Sequence, residues 1–142
     1  MRVEALIRRT PVTISPSATI RQAAEVFARE KIGLLVVATS VSPVKAKAVI
    51  SERDVVRAVN RLGAAALDQT VSSIMSAEVL TCAPSDTLES LMVTMTEHRV
   101  RHIPVVADGV LAGIVSIGDV VKNRIDELED DRKALVDYIN AR

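Results

Sequence analysis

The chain is poor in several things at once. Of its 142 residues one is cysteine, Cys82; Phe27 and Tyr138 are the aromatics, and there is no tryptophan. A lone cysteine excludes an intrachain disulfide and fits a reducing compartment. So few aromatics leave no stacking platform for single-stranded nucleic acid, and a bound base must rest on aliphatic side chains. Excess charge is missing too: 18 basic residues stand against 18 acidic ones, without the basic field that nucleic acid requires. The opening Met1-Arg2-Val3-Glu4 lacks the apolar core of a signal peptide, and no apolar run approaches the roughly 20 residues that span a bilayer. The expectation is a soluble, cytoplasmic protein with neither nucleic acid nor a membrane as partner.

What is present is apolar content, 49% of the chain, enough to bury a core, and an internal repeat. When Val3 is set on Val71, Leu6 falls on Ile74, Thr13 on Thr81, Pro16 on Pro84, Ser17 on Ser85, Thr19 on Thr87, Leu35 on Ile103 and Val37 on Val105. The register then slips by three residues, and Ser51, Asp54, Val55 and Val56 fall on Ser116, Asp119, Val120 and Val121. The slip puts an insertion in Ser40 to Lys47, read as an exposed loop between two strands. The second copy turns tightly through Asp108-Gly109, a hairpin signal.

Each copy reads as β-α-β-β-α. A short helix or turn (Val3 to Arg8; Val71 to Met75) enters a brief strand (Val12 to Ile14; Val79 to Cys82). Thr19 and Thr87 cap helices over Ile20 to Glu30 and Leu88 to His98, whose apolar residues recur at helical spacing. Two apolar strands follow in each copy, Leu34 to Ala38 with Val49-Ile50, and Ile103 to Val106 with Leu111 to Val115. A Ser-x-x-Asp junction then starts a second helix. The stretch Gly63 to Gln69 is too short for a flexible tether, so the copies are expected to pack as one pseudo-twofold body. After Asp119 a helical pattern runs on through Ile125, Leu128, Leu135 and Ile139, an amphipathic tail whose stripe covers its own domain or a second subunit.

The run Val71-Ser72-Ser73-Ile74-Met75-Ser76, then Thr81-x-x-Pro84-Ser85-Asp86-Thr87-Leu88, His102-Ile103-Pro104-Val105-Val106 and Gly113-Ile114-Val115-Ser116-x-x-Asp119 resembles a CBS domain. The first copy is a looser version, and together they resemble a stand-alone CBS pair, or Bateman module. The resemblance implies an α+β fold of tandem β-α-β-β-α repeats, here residues 3–62 and 71–127, followed by a C-terminal helical extension over 128–142. It also implies a homodimer and a non-catalytic sensor role. The ligands implied are adenosyl compounds: AMP, ADP, ATP, NAD(H) or S-adenosylmethionine. They would bind in two clefts between the repeats and signal to a regulated protein partner. The competing expectation is a dimerisation module that binds no nucleotide.

Asp54 and Asp119 are placed to accept hydrogen bonds from ribose hydroxyls, with Ser51 and Ser116 at helix starts suited to phosphate. The same residues also make an ordinary helix cap. By resemblance, Arg101 and His102 face phosphates, next to Pro104, and Arg53 approaches the opposite site. Val79, Leu80 and Val100 would serve Asp54. Thr10, Val12, Ile32 and Gly33 would serve Asp119. Where the second copy has Arg101-His102 the first has Gly33-Leu34, and where the first has Arg53 the second has Gly118, so the two sites are expected to differ. His98, His102 and Cys82 form no metal-ligand set, and no nucleophile with its base or glycine-rich phosphate loop appears.

Overall fold

The computed structural model describes residues 1–7, 11–39 and 43–141. Two helical expectations are met residue for residue. Helix α1 spans Ile20–Glu30 and helix α3 spans Leu88–His98. Both start on a threonine: Thr19 accepts from the Gln22 N–H while Gln22 reaches back to the Thr19 amide, and Thr87 accepts from Ser90. Both end on a basic residue in the left-handed region, Lys31 at φ 54° and Arg99 at φ 52°. Helix α2 covers Glu52–Leu62, and α4 runs unbroken over Ile117–Asn140. No helix among the described residues is long and apolar enough to cross a membrane.

The strands form two small sheets. In the first, β1 (Thr13–Ile14) lies parallel to β2 (Leu34–Val37), which pairs antiparallel with β3 (Ala48–Ser51). In the second, β4 (His102–Ala107) pairs antiparallel with β5 (Val110–Ser116). Asp108 and Gly109 close that hairpin with φ of 51° and 76°, the positive angles of a two-residue turn that matches strand twist. Of the longer β2–β3 loop, Ser40, Val41 and Ser42 lie outside the described residues, as do Arg8, Arg9 and Thr10.

The strand expected over Val79 to Cys82 is reduced to a single parallel bridge, Cys82 with Val105. The Cys82 N–H donates to the Pro104 carbonyl at 3.0 Å and the Val106 N–H to the Cys82 carbonyl at 2.8 Å. Proline stops the ladder on both sides: Pro104 has no N–H to give Leu80, and Pro84 has none to give Val106. The first copy has Val36 where the second has Pro104, and there the ladder extends by a residue.

Each repeat lends its opening segment to the other. The turn Val3–Leu6 packs in the second core with Leu88, Leu91, Met95, Ile103, Val105 and Val115. Val71 packs in the first core with Ile14, Phe27, Leu35 and Ile50. The backbone bonds of the exchange match one for one. Val3 N–H donates to Asp86 as Val71 does to Ala18, Glu4 to Pro84 as Ser72 to Pro16, and Leu88 to Met1 as Ile20 to Gln69, all at 2.7–3.2 Å. The exchange joins the copies into the pseudo-twofold body the repeat implied.

Candidate functional site

Three clefts depend on where strands hand over to helices. At the end of β3 the Ser51 hydroxyl accepts from the Asp54 N–H at 3.2 Å, and Asp54 Oδ2 accepts from the Ser51 N–H at 2.8 Å. At the end of β5 the same box closes between Ser116 and Asp119 at 3.2 and 3.1 Å, and the Ser116 hydroxyl also donates to Asp119 Oδ2 at 2.8 Å. The first amide of each helix is occupied as well: Glu52 N–H donates to the Gly33 carbonyl and Ile117 N–H to that of Arg101, at 3.1 and 2.8 Å. The capping role of both Ser-Asp pairs is therefore real. What stays open, among the described residues, is the second helical N–H, of Arg53 and of Gly118, and the other oxygen of each carboxylate.

The central cleft, of about 440 Å³, lies where the two junctions face each other. The segment Lys31 to Leu34 and the junction Ser51 to Arg53 come from the first repeat; Arg99 to His102 and Ser116 to Gly118 come from the second. Four cations line it, Lys31, Arg53, Arg99 and Arg101, against one carboxylate, Glu52. None of the four makes an ion pair among the described residues. Unpaired cations around two helix starts form an environment for an anion.

Beside it opens a cleft of about 480 Å³ that holds Asp119 and Ser116 together with Val12, Ile32, His102 and Ile114. Val12, Ile32, Glu30 and Lys31 come from the first repeat, and His102, Ile114, Ser116 and Asp119 from the second. Of the four residues expected to serve Asp119, Val12 and Ile32 are here, Gly33 is in the central cleft, and Thr10 lies outside the described residues. Lys31, Ile32, His102 and Ser116 line both clefts, so the two adjoin.

Asp54 has different company. It lines a smaller pocket of about 280 Å³ with Arg57, Arg61, Ser73 and Met75. Of its expected companions, Val100 lines the central cleft, while Val79 and Leu80 line none of the clefts described, Leu80 packing against the second core instead. Pro104 is buried inside β4.

His102 sits at the seam. A Cβ built on Gly33 would lie 3.4 Å from its ring and 3.3 Å from Glu52 Oε2, so the missing side chain of Gly33 makes room for both groups. Burial pushes the His102 pKa down; Glu52 and Asp119 oppose that shift, and Arg101 adds to it. The sequence reading overlooked Lys31, Arg99 and Glu52. The repeat held a signal for the first two, because Lys31 falls on Arg99 directly after matching helices.

The exchanged pair of repeats has counterparts in known proteins. The model of the CBS domain matches residues 3–61 and 71–126. A mitochondrial CBS domain-containing protein of Arabidopsis thaliana is 32% identical over 85% of this chain, which spans 60% of that protein's length. The crystal structure of a CBS-domain containing protein from Agrobacterium tumefaciens is 42% identical, covers 87% of this chain and 92% of its own, and superposes with a TM-score of 0.80. A CBS domain protein from Pyrobaculum aerophilum, solved in complex with AMP, is 34% identical over 84% of this chain and 89% of its own, with a TM-score of 0.74. The chain belongs to the CBS domain family, as a pair of such domains followed by a helical extension.

Proposed function

We propose that this chain is a non-catalytic regulatory module that binds an adenosyl nucleotide in the Asp119 cleft and directs its phosphates into the central cleft. The observation that carries the reading is that the two clefts adjoin through shared residues: an apolar wall of Val12, Ile32 and Ile114 and a ribose-competent carboxylate stand beside four unpaired cations. An adenine rests on the aliphatic wall, and Asp119 accepts from the ribose hydroxyls through its open oxygen. Arg99, Arg101, Lys31 and Arg53 meet phosphate charge. AMP bound to the Pyrobaculum relative supports this choice of ligand class. ATP, ADP and NAD(H) share the chemistry, whereas S-adenosylmethionine brings a cation to a cationic cleft. The chain works as a homodimer, and a regulated protein reads the change in packing between repeats.

Calorimetry of the purified chain with AMP, ATP, NADH and S-adenosylmethionine tests the proposal. Saturable binding that strengthens from AMP to ATP supports it; a folded protein that binds none of the four at millimolar concentration rejects it. The second reading, a dimerisation module without nucleotide, draws on the complete capping boxes at Asp54 and Asp119. It predicts that replacing either aspartate changes stability alone.

His102 adds a pH dependence with a definite sign. Its folded pKa lies below the ordinary value of 6.5, so the free protein binds the proton less readily than the unfolded chain. The stabilisation this represents is present above the unfolded pKa and lost as pH falls through the window below 6.5. A bound phosphate favours imidazolium. Nucleotide affinity is therefore expected to rise as pH is lowered from 8 towards 6, with proton uptake on binding, measured as a buffer-dependent calorimetric enthalpy. His102→Gln should flatten both trends.

A further inference from the structure

Glu52 is the one carboxylate on the wall of the central cleft. It opens α2, its own N–H fixed on the Gly33 carbonyl at 3.1 Å. Its side chain comes back over Gly33: a Cβ built there would lie 3.3 Å from Glu52 Oε2 and 3.4 Å from both Cε1 and Nδ1 of His102. The carboxylate of the first repeat and the imidazole of the second therefore stand on either side of a space that the missing Gly33 side chain leaves open. Among the described residues Glu52 makes no ion pair.

The placement is one-sided. Setting Ser51 on Ser116 sets Glu52 on Ile117, a 41% exposed residue that also lines the central cleft. The phosphates of a nucleotide seated at Asp119 meet His102 and Ser116 first, since both line the two clefts. They meet Glu52 beyond them, since it lines the central cleft and not the Asp119 cleft. Each phosphate after the first carries negative charge towards that carboxylate. Like charges about 6 Å apart, in a medium between protein and water, repel enough to change an equilibrium about tenfold.

We infer that Glu52 sets how many phosphates the site accepts, as a charge filter that opposes the second and third phosphates of a nucleotide across Gly33 from His102. This role rests on the nucleotide reading above and adds the residue that grades its ligands. Lys31, Arg53, Arg99 and Arg101 still outweigh one carboxylate, so ATP stays ahead of AMP, by a narrower margin than the cations alone would give.

Calorimetry of the full chain at low salt in EDTA, with AMP, ATP and inorganic tripolyphosphate, tests the filter. Glu52→Gln keeps the backbone bond to Gly33. It should tighten ATP and tripolyphosphate about tenfold and AMP by less than about threefold. Ile117→Glu puts a second carboxylate at the related position, in a first helical turn that favours acids, and should weaken ATP and tripolyphosphate about tenfold. Proton NMR of the free chain, with the His102 signal assigned through His102→Gln, gives a reading without ligand. That ring should titrate at lower pH in Glu52→Gln, because Glu52 and Asp119 favour the imidazolium while Arg101 opposes it. An unchanged ratio of ATP to AMP affinity in both variants overturns the inference. So does weaker ATP binding in Glu52→Gln, the mark of a carboxylate that helps to hold the ligand, or a His102 titration that does not move. If no nucleotide binds while tripolyphosphate responds to both variants, the filter stands and the adenosyl reading fails. If nucleotides bind equally well to all three chains, the adenosyl reading stands and the filter fails.

Discussion

Asp119→Ala is expected to abolish most of the thermal stabilisation that ATP gives the wild-type chain, while the free variant loses little. A carboxylate that accepts from ribose hydroxyls makes a charge-assisted contact of roughly 1.5–3 kcal/mol, so the dissociation constant should rise roughly tenfold to 150-fold. At a ligand concentration 100 times the wild-type dissociation constant, binding stabilises by roughly 2.7 kcal/mol, and the weakened variant should keep only a fraction of that. The cost to the free protein is that of a helix-end contact, about 0.5–2 kcal/mol, because Asp119 also accepts from Ser116. Ser116→Ala helps to separate the two effects: it removes the capping hydroxyl but leaves the carboxylate, so stability should fall by a similar amount while the ligand shift falls less than in Asp119→Ala. Scanning fluorimetry with and without nucleotide measures both. Equal ligand shifts in wild type and Asp119→Ala would reject a ribose role for this residue.

Leu6→Ala should destabilise the protein by about 2–5 kcal/mol, the range for deleting a buried leucine side chain. The damage should appear in the other repeat. Leu6 is 5% exposed and packs among Leu88, Leu91, Ile103 and Val115. Hydrogen exchange followed residue by residue should therefore lose protection across β4 and β5, although the substitution lies near the N-terminus. Val71→Ala is the mirror experiment and should loosen β2 and β3. Independent repeats, each protected or exposed according to its own sequence, would contradict the exchange. A single cooperative unfolding transition is expected for the wild-type chain, because neither core is complete without the other's segment.

Much of this architecture was legible in the residues. The helices over Ile20–Glu30 and Leu88–His98 announce themselves by a threonine cap, apolar spacing and a change of pattern after the last turn, all local signals. The Asp108-Gly109 turn was readable because so few dipeptides accept two positive φ angles. The missing strand at Val79 to Cys82 was not read, because a β-rich segment looks the same whether or not its neighbour can donate. Pro104 lies in another strand, and its lack of an N–H matters only once the two segments are side by side.

The site divides in the same way. The duplicated Ser-x-x-Asp junction, its two cap hydroxyls and the inequality of Arg101-His102 against Gly33-Leu34 are properties of the sequence, since a cap needs only residues three apart. Which wall each aspartate faces is a long-range matter. Asp119 meets Val12 and Ile32, whereas Asp54 lies beside Arg57 and Arg61. The gathering of Lys31, Arg53, Arg99 and Arg101 around one space likewise exists only after the repeats have exchanged their opening segments. Local spacing dictates elements and caps because their hydrogen bonds close within a turn; the clefts arise from contacts between residues far apart in the chain, which packing of the two cores brings together.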